Sequence, residues 1–246
     1  MGALAARRLV SLNRESKLSI PRGVWVLGLV SLLMDVSSEM IHGLLPVYLT
    51  ASLGAAAVTV GLIEGVAEST ALIVKVFSGA LSDRWRNRQG LAAAGYGLAA
   101  FTKPLFALAT GAGLVFVARF VDRIGKGIRG APRDALISDL TPKEIRGAAF
   151  GLRQSLDTVG AFAGPLLAIA LMLAWHDDFR AVFWVAVIPG LLAVALLLFG
   201  VHEPERQEVH KPTNPISREN LLRLGTAYWW VVGIGAVFTL DRKSVV

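Results

Sequence analysis

The sequence predicts an all-α membrane protein: a six-helix transmembrane bundle plus the start of a seventh helix. Three observations lead there. Hydrophobic residues make up 54% of the 246, the mean hydropathy is +0.57, and the apolar residues gather in runs of membrane length. A helix needs about 20 mostly apolar residues to cross roughly 30 Å of hydrocarbon. The basic residues fall between the runs, nearly all on one side of the implied membrane. The charges inside the runs keep to single helix faces.

Composition narrows the alternatives. The net charge is +7, but the lysines and arginines flank apolar runs, which fits membrane topology rather than nucleic acid. There is no cysteine, so disulfide and thiol chemistry are excluded. The four histidines form no metal-ligand cluster. Residues 1–22 carry Arg7, Arg8, Arg14, Lys17 and Arg22, and the long apolar run after them has no small-residue cleavage signature. They read as a basic cytoplasmic tail rather than a removable signal.

The bundle occupies residues 23–201. The first span covers 24–50 and holds Asp35, Glu39, His42 and, near its far end, Pro46. A short neutral loop, 52–57, leads to the second span, 58–81, with Glu64, Glu68 and Lys75. A basic loop, 82–88, precedes the third span, 90–110, which contains Lys103 and Pro104. Gly111-Ala112-Gly113 marks a tight turn. The fourth span starts near Leu114 and carries many charges from Arg119 to Arg129. Pro132 should bend or end it, because proline lacks the amide hydrogen and clashes with the preceding turn.

Thr141-Pro142-Lys143-Glu144 has the pattern of a capping box with proline at the first helical position. It should open the fifth helix, which runs to about Trp175. His176-Asp177-Asp178 is a polar turn, and the sixth span covers 179–201. Residues 202–225 are polar and read as a cytoplasmic linker. Residues 226–246 begin a seventh helix too short to cross. The asymmetry of basic residues places the N-terminus and the even-numbered loops in the cytoplasm of a cell (inner or plasma) membrane, since the other side receives only Arg180.

A charge at the bilayer centre costs at least about 2.5–3.5 kcal/mol. Asp35, Glu39 and His42 fall at i, i+4 and i+7 of one face. Glu64, Glu68 and Lys75 share another. On the fourth span Arg119, Arg123, Lys126 and Arg133 share a face, with Asp122 beside it. On the fifth, Arg153 and Asp157 stand four apart. One face per helix implies a shared polar interior. Carboxylates of the first two helices would meet cations of the fourth and line a watery cavity. The alternative is that these groups only pair to hold the bundle. Buried ion pairs stabilise poorly compared with apolar packing, so their number favours a pathway. Gly61 and Gly65, Gly147 and Gly151, and Gly160 and Gly164 form small-xxx-small patterns that let helices approach closely.

Three stretches, in order, resemble signatures of the major facilitator superfamily. Gly79-Ala80-Leu81-Ser82-Asp83-Arg84-Trp85-Arg86-Asn87-Arg88 resembles its cytoplasmic loop motif, with matches at Gly79, Leu81, Asp83, Arg84 and Arg88. Arg86 and Asn87 depart from it. The resemblance implies that Asp83 and Arg84 latch the cytoplasmic side. The alternative is a plain basic loop. Arg119 to Gly127 is similar to the fourth-helix motif at Arg119, Gly125 and Gly127, with Asp122 and Arg123 substituted. The resemblance links Arg119 to proton transfer; the added charges point instead to an anionic substrate, or to Asp122 and Lys126 neutralising each other at i, i+4. Gly151, Gly160, Gly164 and Pro165 match the spacing of the antiporter-associated fifth-helix motif, whose final glycine pair is replaced by Ala168 and Ile169. The family reading is a hinge against an eighth helix; the alternative is generic helix packing.

The resemblance implies the N-terminal half of a twelve-helix fold, truncated early in its seventh helix. The expected partners are the lipid bilayer, a small-molecule substrate, protons, and either the missing C-terminal half or a second copy. The expected activity is alternating-access transport, with proton-coupled export by antiport ahead of proton-coupled uptake of an organic anion. Asp35, Glu39, Glu64 and Glu68 are the candidate proton carriers. His42, Arg119, Asp122, Arg123, Lys126, Arg153 and Asp157 are the candidate cavity residues. A membrane sensor or scaffold is the reading from another class. No enzyme, metal site or cofactor is expected. Ile124-Gly125-Lys126-Gly127 is no phosphate loop, because the required earlier glycine falls on Phe120.

Overall fold

The computed structural model describes residues 19–84 and 87–201, together with Gly225 and Trp230. The side chains of Asp83 and Arg84 lie outside that description, as do most of the expected tail, the linker and the seventh helix. Among the described residues the long helices are α1 (Arg22–His42), α2 (Ala57–Arg84), α3 (Arg88–Ala107), α4 (Ala112–Leu140), α5 (Arg146–Ala174) and α6 (Phe179–Gly200). Among the described residues there is no strand.

The first span is not one helix. α1 stops at His42, and a short turn (Leu45–Val47) and a π-helical turn (Tyr48–Ser52) follow. Pro46 explains the break, because it has no amide hydrogen to give the carbonyl of His42. Gly54, at φ +64°, then reverses the chain into α2. The left-handed region suits glycine alone without cost.

α4 runs through Pro132 to Leu140. Proline denies the Ile128 carbonyl its usual i+4 donor. The Ser78 hydroxyl of α2 fills that place at 2.6 Å, so the helix is neither ended nor left with a bare carbonyl. The capping box does not form. Thr141 closes α4, its hydroxyl is unpaired, and a 3₁₀ turn (Lys143–Ile145) leads into α5 without a side-chain cap. At α6 the cap is present: Asp178 Oδ1 accepts from the Ala181 amide at 3.1 Å. The three-residue turn before it needs left-handed backbone at His176 and Asp177.

α1 packs along α5 and α6, α6 along α3, α3 along α4, and α4 along α2. This order brings α2 and α4 opposite α1 and α5. Two apolar cores flank the polar middle. One joins Met40, Leu49, Phe106 and Phe183; the other joins Leu27, Met34, Tyr96 and Leu136. Among the described residues four stretches are long and apolar enough to cross a membrane: Arg22–Ser52, Ala57–Ser82, Lys143–Ala174 and Phe179–Gly200. The charge-bearing α3 and α4 fall short of that measure and pack closely on each other. At Gly95 and Gly125 the backbones of α3 and α4 approach so closely that an added Cβ would lie 2.7–2.8 Å from backbone atoms of the other helix.

Of the small-residue patterns, only Gly160 and Gly164 make a close contact. A Cβ at Gly160 would sit 2.6 Å from the Leu32 oxygen, and one at Gly164 would sit 2.8 Å from the Glu39 Cβ. Gly61, Gly65, Gly147 and Gly151 face open space. Gly160 and Gly164 therefore seat α5 on α1.

Candidate functional site: a charged cavity and a buried ion network

The charged residues separate into a network and a cavity. The network centres on α4. Arg119 Nη2 donates to Glu64 Oε2 at 2.5 Å and lies 3.8 Å from Glu68 Oε1. Arg123 Nη1 lies 3.1 Å from Glu68 Oε1. The two guanidinium groups are almost fully buried, while each carboxylate keeps about a third of its side chain exposed. The expected neutralisation of Asp122 by Lys126 does not occur. Asp122 Oδ1 instead accepts from Lys103 Nζ of α3 at 2.9 Å, and Lys103 also donates to Ser38 Oγ of α1 at 3.0 Å. His42 joins the same cluster. Arg123 Nη2 is 2.9 Å from its Nδ1, and Asp122 Oδ2 is 3.6 Å from its Nε2. Arginine only donates, so His42 accepts at Nδ1 and holds its proton on Nε2, facing Asp122.

The cavity lies between α1, α2, α4 and α5 and has a volume of about 470 Å³. Asp35 and Glu39 line it from α1, Glu68 and Lys75 from α2, Lys126, Arg129 and Arg133 from α4, and Arg153 and Asp157 from α5. Arg153 pairs with Asp157 one turn on. Arg133 donates to Ser31 at 3.0 Å and pairs with Asp134 at 3.2 Å. Arg129 stacks its guanidinium 4.7 Å above the centre of the Tyr96 ring. Among the described residues Asp35 has neither a hydrogen bond nor an ion pair within 4 Å. Glu39 reaches only His42 Nδ1, at 3.9 Å.

At the loop end of the bundle, Arg88 pairs with Asp139 and reaches the Ala135 carbonyl at 3.4 Å, which ties the start of α3 to the end of α4. Gly79 passes α4 at Ala131 in ordinary contact. Pro165 packs near Gly43 at the end of α1, and Ala161, whose carbonyl loses its i+4 donor to Pro165, lines the cavity.

Sequence reasoning thus missed Lys103 as an ionic partner, together with Ser38, Arg129 and Asp139. Lys103 carried a signal, since a lysine inside an apolar run demands a buried counter-charge. Its partner lies on another helix, and no local spacing names it.

Comparison with known proteins places this geometry. The chain is 33% identical over 232 residues to an uncharacterised MFS-type transporter of Methanocaldococcus jannaschii, covering 94% of this chain and 57% of that protein. It is 29% identical over 154 residues to the multidrug resistance protein MdtH of Photorhabdus laumondii, covering 63% of this chain and 37% of that one. The fold matches a POT family transporter crystallised with a thioalcohol-conjugated peptide (TM-score 0.67, 22% identity, 91% of this chain and 47% of that one). It also matches the E. coli fucose:proton symporter FucP (TM-score 0.65, 18% identity, 81% of this chain and 54% of that one). The chain spans about half the length of the curated relatives it matches. The signature of the Major Facilitator Superfamily covers residues 27–240, and the chain belongs to that superfamily as a multi-pass membrane protein.

Proposed function

We propose that this chain forms half of a secondary transporter that moves a small molecule across the cell membrane by alternating access, exchanging it outward for protons. The observation that carries the reading is the cavity with Asp35 on its wall. A carboxylate among membrane helices with no hydrogen bond or contact ion pair is costly to keep, and a proton-coupled cycle gives it a use. The network narrows the proton carriers expected from sequence. Glu64 and Glu68 are engaged by Arg119 and Arg123, so Asp35 and Glu39 are the coupling candidates. The fifth-helix glycine pattern and the likeness to a multidrug resistance protein favour export. Asp83 and Arg84, with the Arg88–Asp139 pair, would latch the cytoplasmic end. The cytoplasmic N-terminus and the second half, or a second copy of this chain, belong to the same proposal.

The test is pH-gradient-driven flux in everted vesicles containing the protein that carries this chain. Asp35→Asn should abolish it; flux equal to wild type would remove Asp35 from the mechanism. A second reading, uptake of an organic anion with protons, is favoured by the cationic α2–α4 wall of the cavity. Accumulation in right-side-out rather than everted vesicles would select it. A sensor or scaffold predicts no flux in either.

A further inference from the structure

The cavity wall holds more positive charge than its own carboxylates take up. Of its cations, Arg153 is bound to Asp157, and Arg133 to Asp134 and Ser31. Lys75, Lys126 and Arg129 have no carboxylate within 4 Å among the described residues. Arg129 is only 5% exposed, and its Nη1 lacks any acceptor. A buried guanidinium N–H without a partner is rare and costs free energy unless something fills the place. Lys75 and Lys126 project from α2 and α4, and their residues are exposed to the cavity. At Gly127, beside Lys126, α4 runs close against α2, and Gly130, beside Arg129, is in ordinary contact with the Lys75 side chain. A Cβ at Gly127 would sit 2.7 Å from the Val74 Cβ, and one at Gly130 3.5 Å from Lys75 Cε. The packing of α4 on α2 thus brings Lys75, Lys126 and Arg129 to one wall of the cavity.

The geometry points to an anion subsite on the α2–α4 wall, formed by Lys75 and Lys126 and backed by Arg129, that takes the carboxylate or phosphate group of a small soluble ligand. This rests on the transport reading and assigns its substrate class. It also moves the anion site away from Arg119 and Arg123, whose charges Glu64 and Glu68 already pair. The far wall supplies Asp35 and Glu39, so the rest of the ligand is uncharged or cationic where it faces α1.

Titration calorimetry of the protein in phosphatidylcholine nanodiscs tests this with four probes: succinate, succinamide, glycerol 3-phosphate and glycerol. At least one anion should bind and its neutral counterpart should not. Lys126→Gln and Lys75→Gln should each weaken that binding about tenfold. Lys126→Arg should keep it, and Lys143→Gln, on the exposed turn before α5, should leave it unchanged. Equal binding of charged and neutral probes, no binding of either anion, or equal losses from Lys126→Gln and Lys143→Gln would overturn the subsite. Loss of anion binding when anionic phosphatidylglycerol replaces part of the lipid would show that a headgroup fills the site, and would overturn a soluble ligand. Flux without preference for anions would also overturn it while leaving the transport reading intact. Anion binding that follows the variants without any flux would support the subsite and overturn the transport reading.

Discussion

Lys103 Nζ sits 2.9 Å from Asp122 Oδ1, and both side chains are closed off from solvent. Removing one member of such a pair leaves an uncompensated buried charge and costs about 3–5 kcal/mol. The two removals are not equivalent here. Lys103→Met leaves Asp122 within 4 Å of His42 and Arg123. Asp122→Ala leaves Lys103 with the Ser38 hydroxyl alone. Thermal unfolding in detergent should therefore show a larger loss for Asp122→Ala. Equal losses would mean that His42 and Arg123 do not share the charge.

The Ser78 hydroxyl replaces the donor that Pro132 removes from α4. Ser78→Ala should cost about 1–3 kcal/mol, the usual penalty for a stranded buried polar group. Adding Pro132→Ala restores an amide hydrogen to the helix and should recover much of that loss. A double variant no more stable than Ser78→Ala would show that the carbonyl finds another donor.

Gly160 and Gly151 belong to one sequence pattern but meet different surroundings. Gly160→Ala forces a Cβ against the α1 backbone, and overpacking of this kind costs about 1–3 kcal/mol. Gly151→Ala meets open space and should stabilise the helix by up to about 1 kcal/mol. Unfolding midpoints of the two variants should move in opposite directions, and a shared direction would contradict the packing described for α5 on α1.

Asp35 and Glu64 should separate function from folding. Asp35→Asn breaks no bond and should leave the yield of monodisperse protein unchanged while gradient-driven flux disappears. Glu64→Gln weakens the Arg119 contact, and Arg119 already has its Nε and Nη1 without acceptors. It should lower stability by about 1–3 kcal/mol. Size-exclusion profiles after a heat step measure the difference, and a Glu64→Gln protein as heat-resistant as wild type would mean that the Arg119–Glu64 contact adds nothing to stability.

The helical membrane bundle was legible because apolar run length is a property of the chain alone. So were the one-faced charges, since Asp35, Glu39 and His42 obey the helix period. What escaped was pairing between helices. Asp122 looked like the partner of Lys126 because the spacing allowed it, yet Lys103 on α3 is nearer in space. The break at His42 was missed although Pro46 stood four residues on. The continuation of α4 past Pro132 depends on a serine more than fifty residues earlier, which no local rule connects. Of the glycine patterns, sequence weighted all alike, and only the arrangement of α1 against α5 distinguishes them.

The packing of α1 has a consequence for how the protein is made. α1 leaves the ribosome before the other helices of this bundle, yet its neighbours in the finished bundle are α5 and α6. Roughly a hundred residues separate the end of α1 from the start of α5, on the order of 5–20 s of synthesis. During that interval Asp35 and Glu39 must be tolerated by lipid or shielded by the insertion machinery. The helix with two of the four cavity carboxylates is thus the one whose shelter arrives last, and its early survival in the membrane sets a kinetic hurdle that the assembled structure no longer displays.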